Sequence, residues 1–219
     1  MKRIMGLLLM GLASLSHAQT SHHQELDTLL LLPFPHDTLH FDGEVWVKHS
    51  GQIGRLLWTD SSWAWNADTS EAHRWHMQLA ANGPLLTLDL SRLHGTQFTP
   101  LPAASPGSAW KPTPLESNRL GVRVRLFTDD TDTLVVAAAD GFPPANAIAN
   151  WHPYLEATWR NLLPLPRQVT PLGFTASGGS GWSFAEVHST PCFLVTEGVW
   201  MFDPKRTLMD VVRERKAQR

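Results

Sequence analysis

Residues 74–91 sort onto two faces about Asn82-Gly83, and that sorting constrains the fold more than any other feature of the chain. With Asn82-Gly83 as a two-residue hairpin turn, Trp75, Met77 and Leu79 lie opposite Leu90, Leu88 and Leu86 on one face. The other face then pairs Gln78 with Thr87, His76 with Asp89 and Arg74 with Ser91. A helix competes for this stretch, because Asp68 to Glu71 has the spacing of a capping box and Gly83-Pro84 reads as a stop. The hairpin separates apolar from polar side chains on both strands, which a wrong register does not do, so the expectation is β.

The same period of two runs through residues 41–48. Phe41, Gly43, Val45 and Val47 alternate with Asp42, Glu44, Trp46 and Lys48. A second hairpin is expected across Asp129-Asp130-Thr131, with Val122, Val124 and Leu126 facing Leu134, Val136 and Ala138, and with Arg123 and Arg125 on the opposite face. Downstream, Pro153 is placed at the first turn of a helix bearing Leu155, Trp159, Leu162 and Leu163 on one stripe, stopped by Pro164 and Pro166. After the loop Ser177 to Gly181, residues 182–187 and 192–202 read as strands, the latter folding into a tight hairpin at Glu197-Gly198. Asp203-Pro204 starts a C-terminal helix over Lys205 to Lys216, which carries a short apolar stripe and a basic majority. The expected fold class is mainly β (α+β): an antiparallel sandwich or small barrel with one mid-chain helix and a C-terminal helix.

Five prolines between Pro100 and Pro114 divide the pattern. The expected organisation is a signal peptide (1–18), an N-terminal β region (19–99), a Pro-rich connection (100–114) and a C-terminal β-rich region with two helices (115–219), the two β regions being separate or parts of one domain. The signal rests on Lys2 and Arg3 before an apolar run, then Ser16-His17-Ala18 as a cleavage site. The run is too short to span a bilayer, for which about 20 apolar residues are needed, so a mature chain in the periplasm or secreted, with no transmembrane span, is expected. Loss of Lys2 and Arg3 leaves 16 basic residues against 20 acidic ones. That balance gives no basic surface for nucleic acid. Cys192 is the single cysteine, so no disulfide closes within the chain and burial must hold the fold; its apolar setting reads as core.

Chemistry is sparser than structure. In the expected register His76 and Asp89 face each other across a ladder, half of an acid–base device, and they are the first catalytic candidates; Asp42, Glu44 and Asp60 join Asp89 as candidate carboxylates for glycan cleavage. Histidines abound, but none has a zinc-ligand spacing, and His73 and His76 fall on opposite faces of a strand, so no metal is expected. Ser177 to Gly181 lacks the Gly-Lys-Ser/Thr of a phosphate loop and the second glycine of a nucleophile elbow, and no cofactor is expected. Asp129, Asp130 and Asp132 lack the other oxygens of a calcium loop and read as a solvated turn.

Ten tryptophans accompany a single tyrosine. Trp46 falls on the polar side of its strand, and Trp58, Trp63 and Trp65 flank the turn Thr59 to Ser62 beside Asp60 and Asn66. These four are the candidate ligand- or partner-binding residues; the plainer reading is core or edge packing. Two functions follow. The first is a non-enzymatic binding or accessory component of a cell-envelope assembly, with an envelope protein as partner. The second is a glycan-binding or glycan-cleaving periplasmic protein that uses the Trp58 to Trp65 region.

Overall fold

The computed structural model describes residues 31–80, 83–98, 110–129, 131–155 and 169–202, together with Arg213 and Lys216. The expected signal peptide, the stretch 99–109, the helical stripe beyond Leu155 and the C-terminal helix other than Arg213 and Lys216 lie outside the described residues.

Fifteen strands and one α-helix are described. In chain order they are β1 (Leu31–Pro33), β2 (Thr38–Phe41), β3 (Gly43–His49), β4 (Gln52–Trp58), β5 (Trp63–Asn66), β6 (Arg74–Gln78), β7 (Leu85–Asp89) and β8 (His94–Phe98). The second half adds β9 (Lys111–Arg119), β10 (Val122–Thr128), β11 (Thr133–Ala137), α1 (Ala145–Leu155), β12 (Thr170–Thr175), β13 (Gly181–His188), β14 (Cys192–Val195) and β15 (Trp200–Phe202). Thirteen strands form one sheet in the order β1-β15-β8-β7-β6-β5-β4-β3-β13-β12-β11-β10-β9; β14 and β2 form a second, two-stranded sheet. Neighbours are antiparallel except β15 and β8. The ladder ends at β1 and β9, which do not pair, so the barrel expected as one alternative does not close. Strand hydrogen bonding crosses between the two sequence halves where β3 pairs with β13 and β8 with β15.

Each face of the large sheet is covered, and alternation decides which side chain goes where. Leu57, Ala64, Trp75, Met77, Leu86 and Leu88 pack against Leu39, Phe41 and Leu194 of the small sheet, a sandwich-like layer. Their chain neighbours Leu56, Trp63 and Trp65 point the other way, into a core with Val45, Val47, Leu172, Phe174 and Trp182 and with Ile148 and Trp151 of α1. Because both faces are covered, β5 is buried at all four positions and its Trp-Ala-Trp run loses the polar half of a surface strand. Gly54 on β4 exists for this packing. A β-carbon there would collide with the Trp65 indole and approach the Asn66 carbonyl oxygen to 2.7 Å. Gly54→Ala is expected to lower stability by about 1–3 kcal/mol, seen as a lower urea midpoint at unchanged slope; an unaltered midpoint would mean that Trp65 does not lie over this strand.

Five expectations need correction. The hairpin of β6 and β7 forms with the expected faces, but its register is displaced by two residues: the ladder ends at Gln78↔Leu85 and pairs His76 with Thr87. A two-residue turn at Asn82-Gly83 is not formed because the connection is longer, with Gly83 N–H donating to Ala80 O at 2.9 Å and Gln78 Nε2 donating to Gly83 O at 2.8 Å. The competing cap signal is real but small: Asp68 accepts Ser70 N–H at 2.8 Å and caps one 3-10 turn, Thr69–Glu71.

In the second hairpin Val124 faces Ala137 and Leu126 faces Val135, one residue from the expected register. An irregularity between Arg125 and Phe127 on the β9 side shifts the inward positions, and Phe127 takes the buried place expected for Leu126. The mid-chain helix begins at Ala145, where Pro144 O accepts Ala147 N–H at 3.0 Å, so Pro153 sits in its last turn and the starting prolines are Pro143 and Pro144. Finally, Glu197-Gly198 is a turn, but β14 and β15 on either side of it pair in different sheets. The Pro-rich connection is also shorter than expected, since Pro112 and Pro114 lie in β9, an edge strand where missing N–H groups are tolerated.

Candidate functional site

The proposed acid–base pair is not assembled. His76 Nδ1 lies 2.9 Å from Thr87 Oγ1, and Asp89 stands opposite Arg74. Asp89 instead braces the turn into β8: its carboxylate accepts Ser91 Oγ–H at 2.6 Å, Ser91 N–H at 3.1 Å and Arg92 N–H at 3.2 Å. The Ser91 hydrogen bond, foremost, holds the Asp89 carboxyl below its usual range. Burial, with the Arg74 charge second, lowers the His76 pKa. Among the described residues no three His, Cys, Asp or Glu side chains gather as metal ligands would. The acidic tip is not a solvated turn: Asp129 and Asp132 are buried, Asp129 accepting Asp132 N–H at 2.8 Å and Asp132 accepting Ser177 N–H at 3.0 Å.

Three of the four candidate tryptophans lie in the core. Trp58, Trp63 and Trp65 are 4%, 1% and 1% exposed, which leaves no indole face for a sugar ring. Trp63 Nε1–H donates to Gln78 Oε1 at 3.3 Å. Trp65 begins an edge-to-face chain that runs through Trp151 (5.2 Å between centroids) to Trp182 (5.1 Å). Trp46 is half-buried on the polar side, between Arg55 of β4 and Glu186 of β13.

The structure leaves other apolar side chains exposed. Phe193 (64% exposed) and Val195 project from the outer side of β14, while Leu194 between them is buried. Five residues on, Trp200 of β15 is 48% exposed, and its N–H donates to the carbonyl of Leu93, itself exposed, at 2.9 Å. Leu32 of β1 is exposed one ladder position away. The turn linking these pieces is pinned from within. Buried Thr196 donates Oγ–H to His36 O at 2.6 Å and N–H to Asp37 O at 2.8 Å, and Phe34 N–H donates to Val199 O at 2.8 Å. The alternation in Cys192 to Val195 was available in the sequence, but an unbroken apolar run conceals which members face out.

A second feature is an open cleft of about 360 Å³ where three hairpin ends meet. The β3–β4 turn contributes Lys48, His49, Ser50 and Gly51, the start of the β9–β10 turn contributes Arg119, and β12 and β13 contribute Phe174, Thr175, Trp182 and Ser183. Ser50 and Gly51 have φ of 47° and 80°, the two left-handed residues of a tight hairpin turn. Trp182 is fixed from behind, its indole N–H donating to His152 Nδ1 of α1 at 2.9 Å. No sequence motif marks this cleft, because its residues come from separate segments spread between Lys48 and Ser183.

No family model matches the chain, and no curated protein matches it. Among solved structures, PNGF-II in its P21 crystal form is similar at a TM-score of 0.33 and 12% identity, covering 70% of this chain and 28% of that one. Its C2 form gives 0.32 and 13%, covering 69% and 27%. The chain therefore spans less than a third of that protein's length, and a likeness of this size carries neither a fold nor an activity across.

Proposed function

We propose that this protein is an exported, non-catalytic binding component of a cell-envelope assembly, and that a protein partner docks on the apolar end formed by Leu32, Leu93, Phe193, Val195 and Trp200. The observation that carries the reading is the exposure of these large apolar side chains on segments joined by one hydrogen-bonded turn. Covering a large apolar side chain is worth about 1.5–3 kcal/mol, and tryptophan is a preferred anchor of interfaces. The charged N-terminus and cleavage site support export, with the mature chain in the periplasm or secreted. A C-terminal helix after β15, started at Asp203-Pro204, belongs to the same reading. The glycan alternative loses its support in the burial of Trp58, Trp63 and Trp65.

Crosslinking and mass spectrometry of the tagged protein in its native envelope test this. One stoichiometric protein partner is expected, crosslinked beside β14 and β15, and lost from a Phe193→Ser/Trp200→Ser variant that still melts near the wild-type temperature. A solitary protein, or a partner retained by the variant, overturns the reading.

A further inference from the structure

We propose that the cleft between the β3–β4, β9–β10 and β12–β13 hairpin ends binds a phosphate ester about the size of a phospholipid headgroup, at a site separate from the apolar end. Charge is the first argument. The lining includes Lys48, His49 and Arg119 and no carboxylate. Elsewhere on the strands and turns cations are neutralised: Arg55 pairs with Glu44, Arg74 with Glu71, Arg92 with Asp89, and Arg123 and Arg125 with Glu116. Lys48 and Arg119 have no such partner among the described residues. Two unpaired cations brought to one concavity repel each other, and an anion between them removes that repulsion while gaining charge-assisted hydrogen bonds.

Donor type is the second argument. Ser50, Thr175 and Ser183 add three hydroxyls to the lining, and glycines at 51 and 179 keep side chains from closing it. At Gly51 and Gly179 an added β-carbon would meet nothing within 4 Å. Donors supplied from separate hairpins suit a tetrahedral oxyanion with several acceptor oxygens better than a planar carboxylate, which one arginine fork satisfies.

Size and floor complete it. About 360 Å³ is within the range of small-molecule sites and exceeds what inorganic phosphate fills, so room remains for the alcohol of an ester. Phe174 and Trp182 give that part an apolar floor. The floor is rigid, since Trp182 is hydrogen-bonded to His152, and His152 packs edge-on to Phe174 at 4.7 Å.

Calorimetric titration of the full chain with glycerol 3-phosphate, inorganic phosphate and glycerol tests the chemistry. Vesicles of phosphatidylglycerol or phosphatidylcholine distinguish a lipid headgroup from a soluble ester. Glycerol 3-phosphate is expected to bind more tightly than inorganic phosphate, and glycerol not at all. A Lys48→Gln/Arg119→Gln variant should bind at least about tenfold more weakly, whereas Arg123→Gln, outside the cleft, should bind as the wild type does. Binding to phosphatidylglycerol vesicles that the double variant loses makes the ligand a lipid; binding of the soluble ester alone makes it a free metabolite. Failure of both probes to bind, or binding that survives the double variant, overturns the proposal. Neither substitution touches the apolar end, so partner docking stands or falls separately.

Discussion

Trp151→Ala is expected to remove about 3–5 kcal/mol of unfolding free energy, a large fraction of the roughly 5–15 kcal/mol that holds a domain together. Trp151 is fully buried on α1 and joins that helix to two distant strands. Its ring meets Trp65 of β5 at 63° and Trp182 of β13 at 69°, both edge-to-face, a geometry that adds to area burial. Alanine would open a cavity at the junction of the sheet and its one described helix. The indole nitrogen has no hydrogen-bond partner among the described residues, so its N–H contributes cost rather than stability in this position. Trp151→Phe should therefore cost far less than alanine, within about 1.5 kcal/mol, since it keeps most of the ring and drops the orphaned donor. Trp200→Ala, by contrast, removes a half-exposed side chain and should shift the urea midpoint little. Equal losses for Trp151→Ala and Trp200→Ala would refute the assignment of one tryptophan to the core and the other to the surface.

What the sequence revealed and what it hid divide along a physical line. Alternation in residues 41–48 and 74–91 identified the inward faces, though Asp42 divides the first run between β2 of the small sheet and β3 of the large one; burial acts on each residue separately and leaves its mark at every second position. Register depended on the length of a connection, and there one dipeptide misled: Asn82-Gly83 looked like a two-residue turn. The genuine two-residue turns were Ser50-Gly51 and Leu120-Gly121, each with both φ positive, and their glycines were the available signal. Where both faces of the sheet are covered, polar positions vanish. This is why Trp58, Trp63 and Trp65, beside the polar turn Thr59 to Ser62, resembled an exposed platform and are core. The His76–Asp89 pair failed with the register that placed it. The cleft and the apolar end were invisible for another reason: each is assembled from segments that only the sheet order brings together, Lys48 with Arg119 and Trp182, or Leu32 with Leu93 and Trp200.

Acid should weaken this fold before any carboxylate titrates, through His152. Its ring is fully buried beside Phe174 and Trp182, and burial lowers its pKa from the ordinary 6.5 to about 4. The hydrogen bond requires the same neutral form: Trp182 Nε1–H donates to His152 Nδ1 at 2.9 Å, so that nitrogen must carry no proton. The unfolded chain therefore binds a proton between pH 6.5 and about 4 that the folded chain refuses. The His152 contribution is full above pH 6.5, declines as the pH falls through that window, and is spent below about 4. The loss is about 3 kcal/mol for one such group. His76, also lowered by burial, pulls in the same direction. Asp68, Asp89 and Glu116 have lowered values held chiefly by hydrogen bonds to Ser70, Ser91 and Arg123, and their losses come at more acidic pH. Urea midpoints at pH 7.5, 6.5, 5.5 and 4.5 should accordingly fall for the wild type. His152→Phe starts lower, because Trp182 loses its acceptor at a cost of about 1–3 kcal/mol, yet its midpoint should fall much less across the same range. Parallel declines in the two proteins would mean that His152 is not the buried neutral acceptor behind the cleft, and Trp182 would then have no fixed support on that side.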